Sequence, residues 1–109
     1  MSDVSVYIDV EDGLKRVGGN MGLYKKLLQR FIDGKYFDAL SDQISSGNSE
    51  EAVHAAHTLK GVAANLSLVK VNQLSASIEQ QLKNGQDCSE NMAELKETVN
   101  NTVEAINGI

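Results

Sequence analysis

The run "EEAVHAAHTLKGVAANLSL", residues 50–68, decides how the chain is read. On a helical wheel of about 100° per residue, Ala52, Ala55, Ala56, Leu59, Val62, Ala63 and Leu66 all fall within about 60° of Leu59. That stripe is the inward face of a helix that ends near Leu66. The opposite face is unusual. His57 lies about 160° from Leu59, and His54 about 140° away on the other side. Gly61 and Ala64 share that outer face, one and two turns beyond His57. Exposed helix positions ordinarily carry long charged side chains, and a glycine inside a helix costs roughly 1 kcal/mol against alanine. Small residues around a histidine let a second protein bring its own backbone close to the imidazole.

Helical periodicity continues on both sides of this segment. "DVEDGLKRV" carries Leu14 and Val17 at helical spacing and stops at Gly18-Gly19. Asn20 is the expected N-cap of a long helix. The apolar positions of that helix, Leu23, Leu27, Phe31, Phe37, Leu40 and Ile44, drift in phase around Gly34, which predicts a bend there. "SSGNSEE" closes it, with Gly47 in a left-handed position and Asn48 with Glu51 as a capping box. After residues 50–68 a further helix carries Leu68, Val71, Leu74, Ile78 and Leu82 and ends at Asn84-Gly85. Asp87 with Glu90 reads as another box, and the last helix buries Cys88, Met92, Leu95, Val99, Val103 and Ile106. Val4, Val6 and Ile8 alternate, but a single strand would lack a partner, so residues 1–8 are expected to form an extended arm.

Amphipathic helices joined by short loops pack as antiparallel neighbours. The expected fold is all-α: an up-down-up-down four-helix bundle with a short additional N-terminal helix, in one domain over residues 1–109. The chain contains no proline and only 5% aromatic residues, which favours helices over a sheet sandwich. A net charge of −5 argues against a nucleic-acid binder, which needs a basic stripe, and against anionic membrane surfaces. Cys88 is the only cysteine, so no internal disulfide forms, and a small buried hydrophobe is the expected role. No signal peptide or membrane span is legible, and the cytoplasm is the expected compartment.

A neutral imidazole nitrogen is a good nucleophile near pH 7. Lys60, one turn from His57, supplies a cation for an incoming anionic group. Together they describe a histidine that attacks a phosphoryl group held by a partner. Rival readings have less behind them. Glu51 and His54 have the Glu-x-x-His spacing of bundle metal sites, but these need a second motif, and both histidines face away from the core. A hydrolase using His57 as base needs a nucleophile and an enclosing pocket. A helical interaction module that binds receiver domains without chemistry is the alternative that the intact His57 argues against.

The segment "AHTLKGVAANL" carries the pattern His-x-x-Lys-Gly and resembles the histidine-containing phosphotransfer (HPt) domains. "GLKRVGGN…LYKKLLQRF" is similar to the opening helices of that family, and "LSASIE" to its fourth. The resemblance implies that His57 is the phosphoacceptor, that Lys60 gives electrostatic support, and that Gly61 allows close approach of the partner. His54 and Ala64 would form a docking rim. It further implies a phosphorelay of the two-component type, with response-regulator receiver domains and a sensor histidine kinase as partners. Family members of this compact type are mostly monomers. No Walker-type phosphate loop is present, so the expectation is a phosphoryl carrier without autonomous kinase activity. No cofactor or metal is expected on this chain. Magnesium would belong to the receiver, whose acidic cluster suits a hard cation. One position departs from the family: Ser67 stands where glycine is common, and is read as a cap for the following helix.

Overall fold

A computed structural model describes residues 6–109, and all regular structure among them is helical. Six helices follow one another: α1 (Val10–Arg16), α2 (Met21–Gly34), α3 (Tyr36–Ser45), α4 (Ser49–Leu66), α5 (Val69–Lys83) and α6 (Ser89–Asn107). α2 and α3 are two halves of one arm. With α4, α5 and α6 they make the up-down-up-down bundle, and α1 is the short additional helix. The predicted bend is a break. Lys35 adopts a left-handed conformation (φ 50°) between the two halves.

The local signals divide into those that hold and those that give way. Asn20 caps α2, its side chain accepting from Leu23 N at 3.0 Å. Asp9 does the same for α1 through Asp12 N. Asn48 precedes α4 but forms no side-chain cap bond, so the expected box with Glu51 is absent. Asp87 turns to Ser89 instead of Glu90, bonding both its amide and its hydroxyl at 3.0 Å. Cys88 is buried, as a small hydrophobe would be.

The buried residues form one cluster from Ile8 to Ala105. Two stripes sit rotated from their expected positions. In α2 the buried residues are Tyr24, Leu28 and Phe31, which leaves Leu23 exposed and Leu27 half-buried. In α6 the inward line runs Leu95, Thr98, Thr102, Ala105, with Met92, Val99, Val103 and Ile106 only partly buried at its edge. Thr102 is tolerated there because its Oγ1 donates to Thr98 O at 2.7 Å, one turn back along the helix.

The α4–α5 connection is only Ser67 and Leu68, and several bonds hold it. Tyr24, fully buried, donates its hydroxyl to Leu66 O at 2.7 Å, satisfying one of the orphan carbonyls at the end of α4. Burial, with Asp9 and Asp12 nearby, pushes the Tyr24 phenol up to about 12, so it stays a donor. Tyr24 fits because residue 13 is glycine: a Cβ at that position would collide with the tyrosine ring and hydroxyl. Asp9 N donates to Ser67 O at 2.9 Å and Val69 N to Tyr7 O at 3.0 Å. Residues 7–9 are thereby held against the turn, with Ile8 in the core. The remainder of the expected N-terminal arm, residues 1–5, lies outside the described residues.

Ser67 does not cap α5. It is the C-cap residue of α4, at φ 59°, while Leu68 precedes α5. The left-handed conformation explains why glycine suits the position. A serine there carries steric strain, of roughly 1–2 kcal/mol in an isolated residue. Its hydroxyl donates to Asp12 Oδ2 at 2.5 Å, which binds α1 to the turn and offsets that strain. The same bond, with Arg16 beside it, holds the Asp12 carboxyl below its ordinary range.

Tyr24→Phe removes one hydroxyl and strands a buried carbonyl. It is expected to lower unfolding free energy by about 1–2 kcal/mol in urea titration, with an unchanged helical spectrum.

Candidate functional site

The α4–α5 hairpin positions the site. His57 and Glu79 stand at nearly equal sequence distances on either side of the Ser67–Leu68 turn, so antiparallel packing brings them level. His57 Nδ1 lies 3.1 Å from Glu79 Oε2, although 22 residues separate them. The imidazole side chain is 63% exposed while the carboxylate is 5% exposed. His57 therefore stands on the outside with one nitrogen anchored inward.

Two lysines close on the same carboxylate. Lys60 Nζ sits 2.8 Å from Glu79 Oε1, and Lys83 Nζ 3.1 Å from Oε2. A buried carboxylate is costly unless paired. Here the bond from Lys60 is the largest influence on Glu79. Burial opposes it, Lys83 and His57 reinforce it, and the result is a carboxyl lowered to about 2. Glu79 is thus ionised across the physiological range and can only accept hydrogen bonds. In this contact Nδ1 is therefore the donor, and Nε2 lies on the side of the ring away from the anchor.

The outward face of α4 is as the wheel drew it. His54, His57, Gly61 and Ala64 are exposed, and Ala52, Ala56, Leu59, Ala63 and Leu66 are buried. A Cβ built on Gly61 meets nothing within 4 Å, so no packing inside the chain requires glycine there. His54 and Ala64 stand outside the network around Glu79. Lys60 is partly covered, and its backbone carbonyl accepts from Asn72 Nδ2 at 3.1 Å. Among the described residues, no three His, Cys, Asp or Glu side chains gather in a way that could hold a metal ion.

Glu79 and Lys83 are absent from the sequence reading. The signal was present but faint: Glu79 falls four residues after Ser75 and next to Ile78, both fully buried, so it occupies the edge of the α5 core stripe. A glutamate on that face needs cations, and Lys83, one turn on, is the partner that sequence spacing offers.

With this geometry in hand, the comparison with known families is direct. The family model described as Hpt domain matches residues 26–105, which include all of the residues just described, and the chain belongs to that family. Hpt domains are phosphocarrier modules of two-component phosphorelays that work with receiver domains and histidine kinases, so the chain has a phosphotransfer role. No characterised protein and no solved structure gives a significant match. No helix among the described residues is long and apolar enough to cross a membrane.

The depressed Glu79 carboxyl makes a stability claim with a definite sign. A group whose value is lower in the folded state than the ordinary 4.5 stabilises fully above that value. The contribution is lost as pH falls through about 2. Thermal melts should therefore show wild-type stability declining from about pH 4.5 to about pH 2. Glu79→Gln should be less stable at neutral pH by roughly 1–3 kcal/mol and should lose this part of the acid dependence.

Proposed function

We propose that His57 is the phosphoacceptor of this Hpt domain and that Nε2 is the atom that forms the bond to phosphorus. The observation that carries the reading is the anchoring of Nδ1 by a buried, ionised Glu79 beneath an exposed ring. The donor is an aspartyl phosphate on a receiver domain or a phosphohistidine on a sensor kinase. The Nε2 lone pair attacks phosphorus in line, the N–P bond forms, and the bond from phosphorus to the donor oxygen or nitrogen breaks, its electron pair leaving with the donor. The imidazole gains positive charge as this happens. Glu79, in contact with Nδ1–H, offsets that charge without moving. Reversal of the same step onto a second receiver aspartate completes the relay.

Lys60 gives electrostatic support. One turn from His57 and tethered by Glu79, it presents a fixed cation near the transferred group. Gly61 serves the partner, since the space above it is open and the receiver must bring its aspartate within bonding distance of Nε2. His54 and Ala64 lie on the rim of the same face. Magnesium belongs to the receiver, and the chain acts as a carrier without phosphorylating itself from ATP. The cytoplasm is the compartment in which such partners meet, and a monomer suffices for every step.

Incubation with a phosphorylated receiver, followed by acid and base treatment, tests the assignment. His57→Gln should abolish an acid-labile, base-stable label, and His54→Gln should retain most of it. The reverse result refutes the choice of histidine. Lys60→Ala should slow transfer roughly tenfold, and because Lys60 is the leading partner of the buried Glu79 carboxylate, the variant should also melt below the wild type while keeping its helical spectrum. Gly61→Gln should melt no lower than the wild type, since glycine is the poorer helix former, yet transfer far more slowly. Unfolding of Gly61→Gln would assign the glycine to packing instead.

A further inference from the structure

We propose that the cleft between α1, α2, the start of α3 and the C-terminal half of α4 binds a small amphiphilic carboxylate, an alkyl or aryl acid whose carboxylate is taken by Arg30. The cleft has a volume of about 530 Å³, within the range of small-molecule sites. Its floor is aromatic. Phe31 is buried, and the Tyr36 ring stacks on it with centroids 6.1 Å apart and planes 17° from parallel. The chain break at Lys35 creates this floor, because it turns α3 so that Tyr36 folds back across the end of α2. Gly34 permits it: a Cβ there would stand 2.6 Å from the tyrosine ring. Leu27 from α2 and Val62 from α4, both half-buried, add apolar walls. Val17 at the end of α1 and Leu66 from α4 complete the apolar lining.

The polar groups stand at the rim, and two of them are guanidinium ions. Arg30 has no acidic partner within 4.0 Å among the described residues. Arg16 commits its Nε to Asp12 Oδ2 at 3.0 Å, which leaves its terminal nitrogens available. Two arginines at one apolar cleft run against the net charge of −5 of the chain. The planar fork of arginine matches a carboxylate through two parallel bonds. An apolar floor closed by cations at one edge selects a molecule with an apolar body and one anionic end. A neutral apolar molecule would gain no bond from the exposed, hydrated Arg30, and a small hydrophilic anion would leave the apolar floor uncovered.

The proposal does not depend on phosphoryl transfer, and its test reads binding alone. The full chain, labelled with nitrogen-15, is titrated with decanoate and separately with decanol, and amide shifts are followed. Decanoate should give saturable shifts centred on Leu27, Val62, Asn65 and Leu66, with decanol weaker by roughly tenfold. Arg30→Ala, an exposed substitution that leaves the fold intact, should weaken decanoate by a similar factor and bring the two probes level. Non-saturating shifts spread over the chain, or equal affinity for decanol and decanoate in the wild type, would overturn the proposal. So would failure of decanoate to bind while a receiver domain protects the same amides, which would assign the cleft to the protein interface. Decanoate binding by a chain whose His57 accepts no phosphoryl group would sustain this proposal and defeat the transfer reading.

Discussion

The two-residue turn between α4 and α5 is the constraint on which the rest depends. A helical hairpin with so short a connection has little freedom in register, and the register decides what lies beneath His57. The turn is held from outside its own helices. Tyr24 from α2 closes the carbonyl of Leu66, Asp12 from α1 takes the Ser67 hydroxyl, and residues 7–9 bond to both sides of the junction. The N-terminal helices therefore serve the site without touching it. Ser67 shows how the arrangement absorbs a departure from glycine. The strain of its left-handed backbone is met by a bond that glycine could not make, and that bond recruits α1.

Glu79 is the second consequence of that register. Burying a carboxylate is unfavourable by itself, and the usual outcomes are protonation or pairing. Three cationic or hydrogen-bonding partners on two helices produce the second outcome, so the charge is retained and its environment is ordered. A fixed anion below an exposed imidazole does three things at once. It fixes Nδ1 as the donor, it restrains the ring, and in the proposed transfer it would offset positive charge on the imidazole. Lys60 belongs to the same unit: its position relative to His57 is set by a shared partner as well as by helical spacing.

The fold was largely legible because the apolar spacing in α4 and α5 is strong and the loops are marked by glycine and asparagine. The rotated stripes of α2 and α6 were not, for two physical reasons. Tyrosine and threonine read as polar, yet Tyr24 and Thr102 are buried because local backbone acceptors satisfy their hydroxyls. Counting leucines and valines alone therefore placed the inward face one residue away from its true line. In α4, His57, Lys60 and Gly61 stand out as candidates from spacing along one helix. Glu79 does not, because its partner relation crosses a hairpin, and spacing rules speak only for residues on the same helix. Ser67 is a C-cap and not the expected N-cap, and a connection of two residues is too short for composition to separate the two roles.

The alanine content of α4 links these observations. Ala52, Ala56 and Ala63 line its buried face, and small side chains at a helix contact allow the neighbouring axis to come closer. Proximity matters because His57 projects about 160° from Leu59, on the side away from the core. A carboxylate on α5 can meet that ring only by reaching around the flank of α4, which a glutamate at the edge of the α5 stripe does when the helices are close. Larger residues on the inner face would separate the axes and lengthen the Glu79–His57 contact. On the outer face, Gly61 and Ala64 keep the approach to the same ring clear. Small residues on opposite sides of one helix thus serve opposite ends of one imidazole, bringing the anchor to Nδ1 and leaving Nε2 accessible.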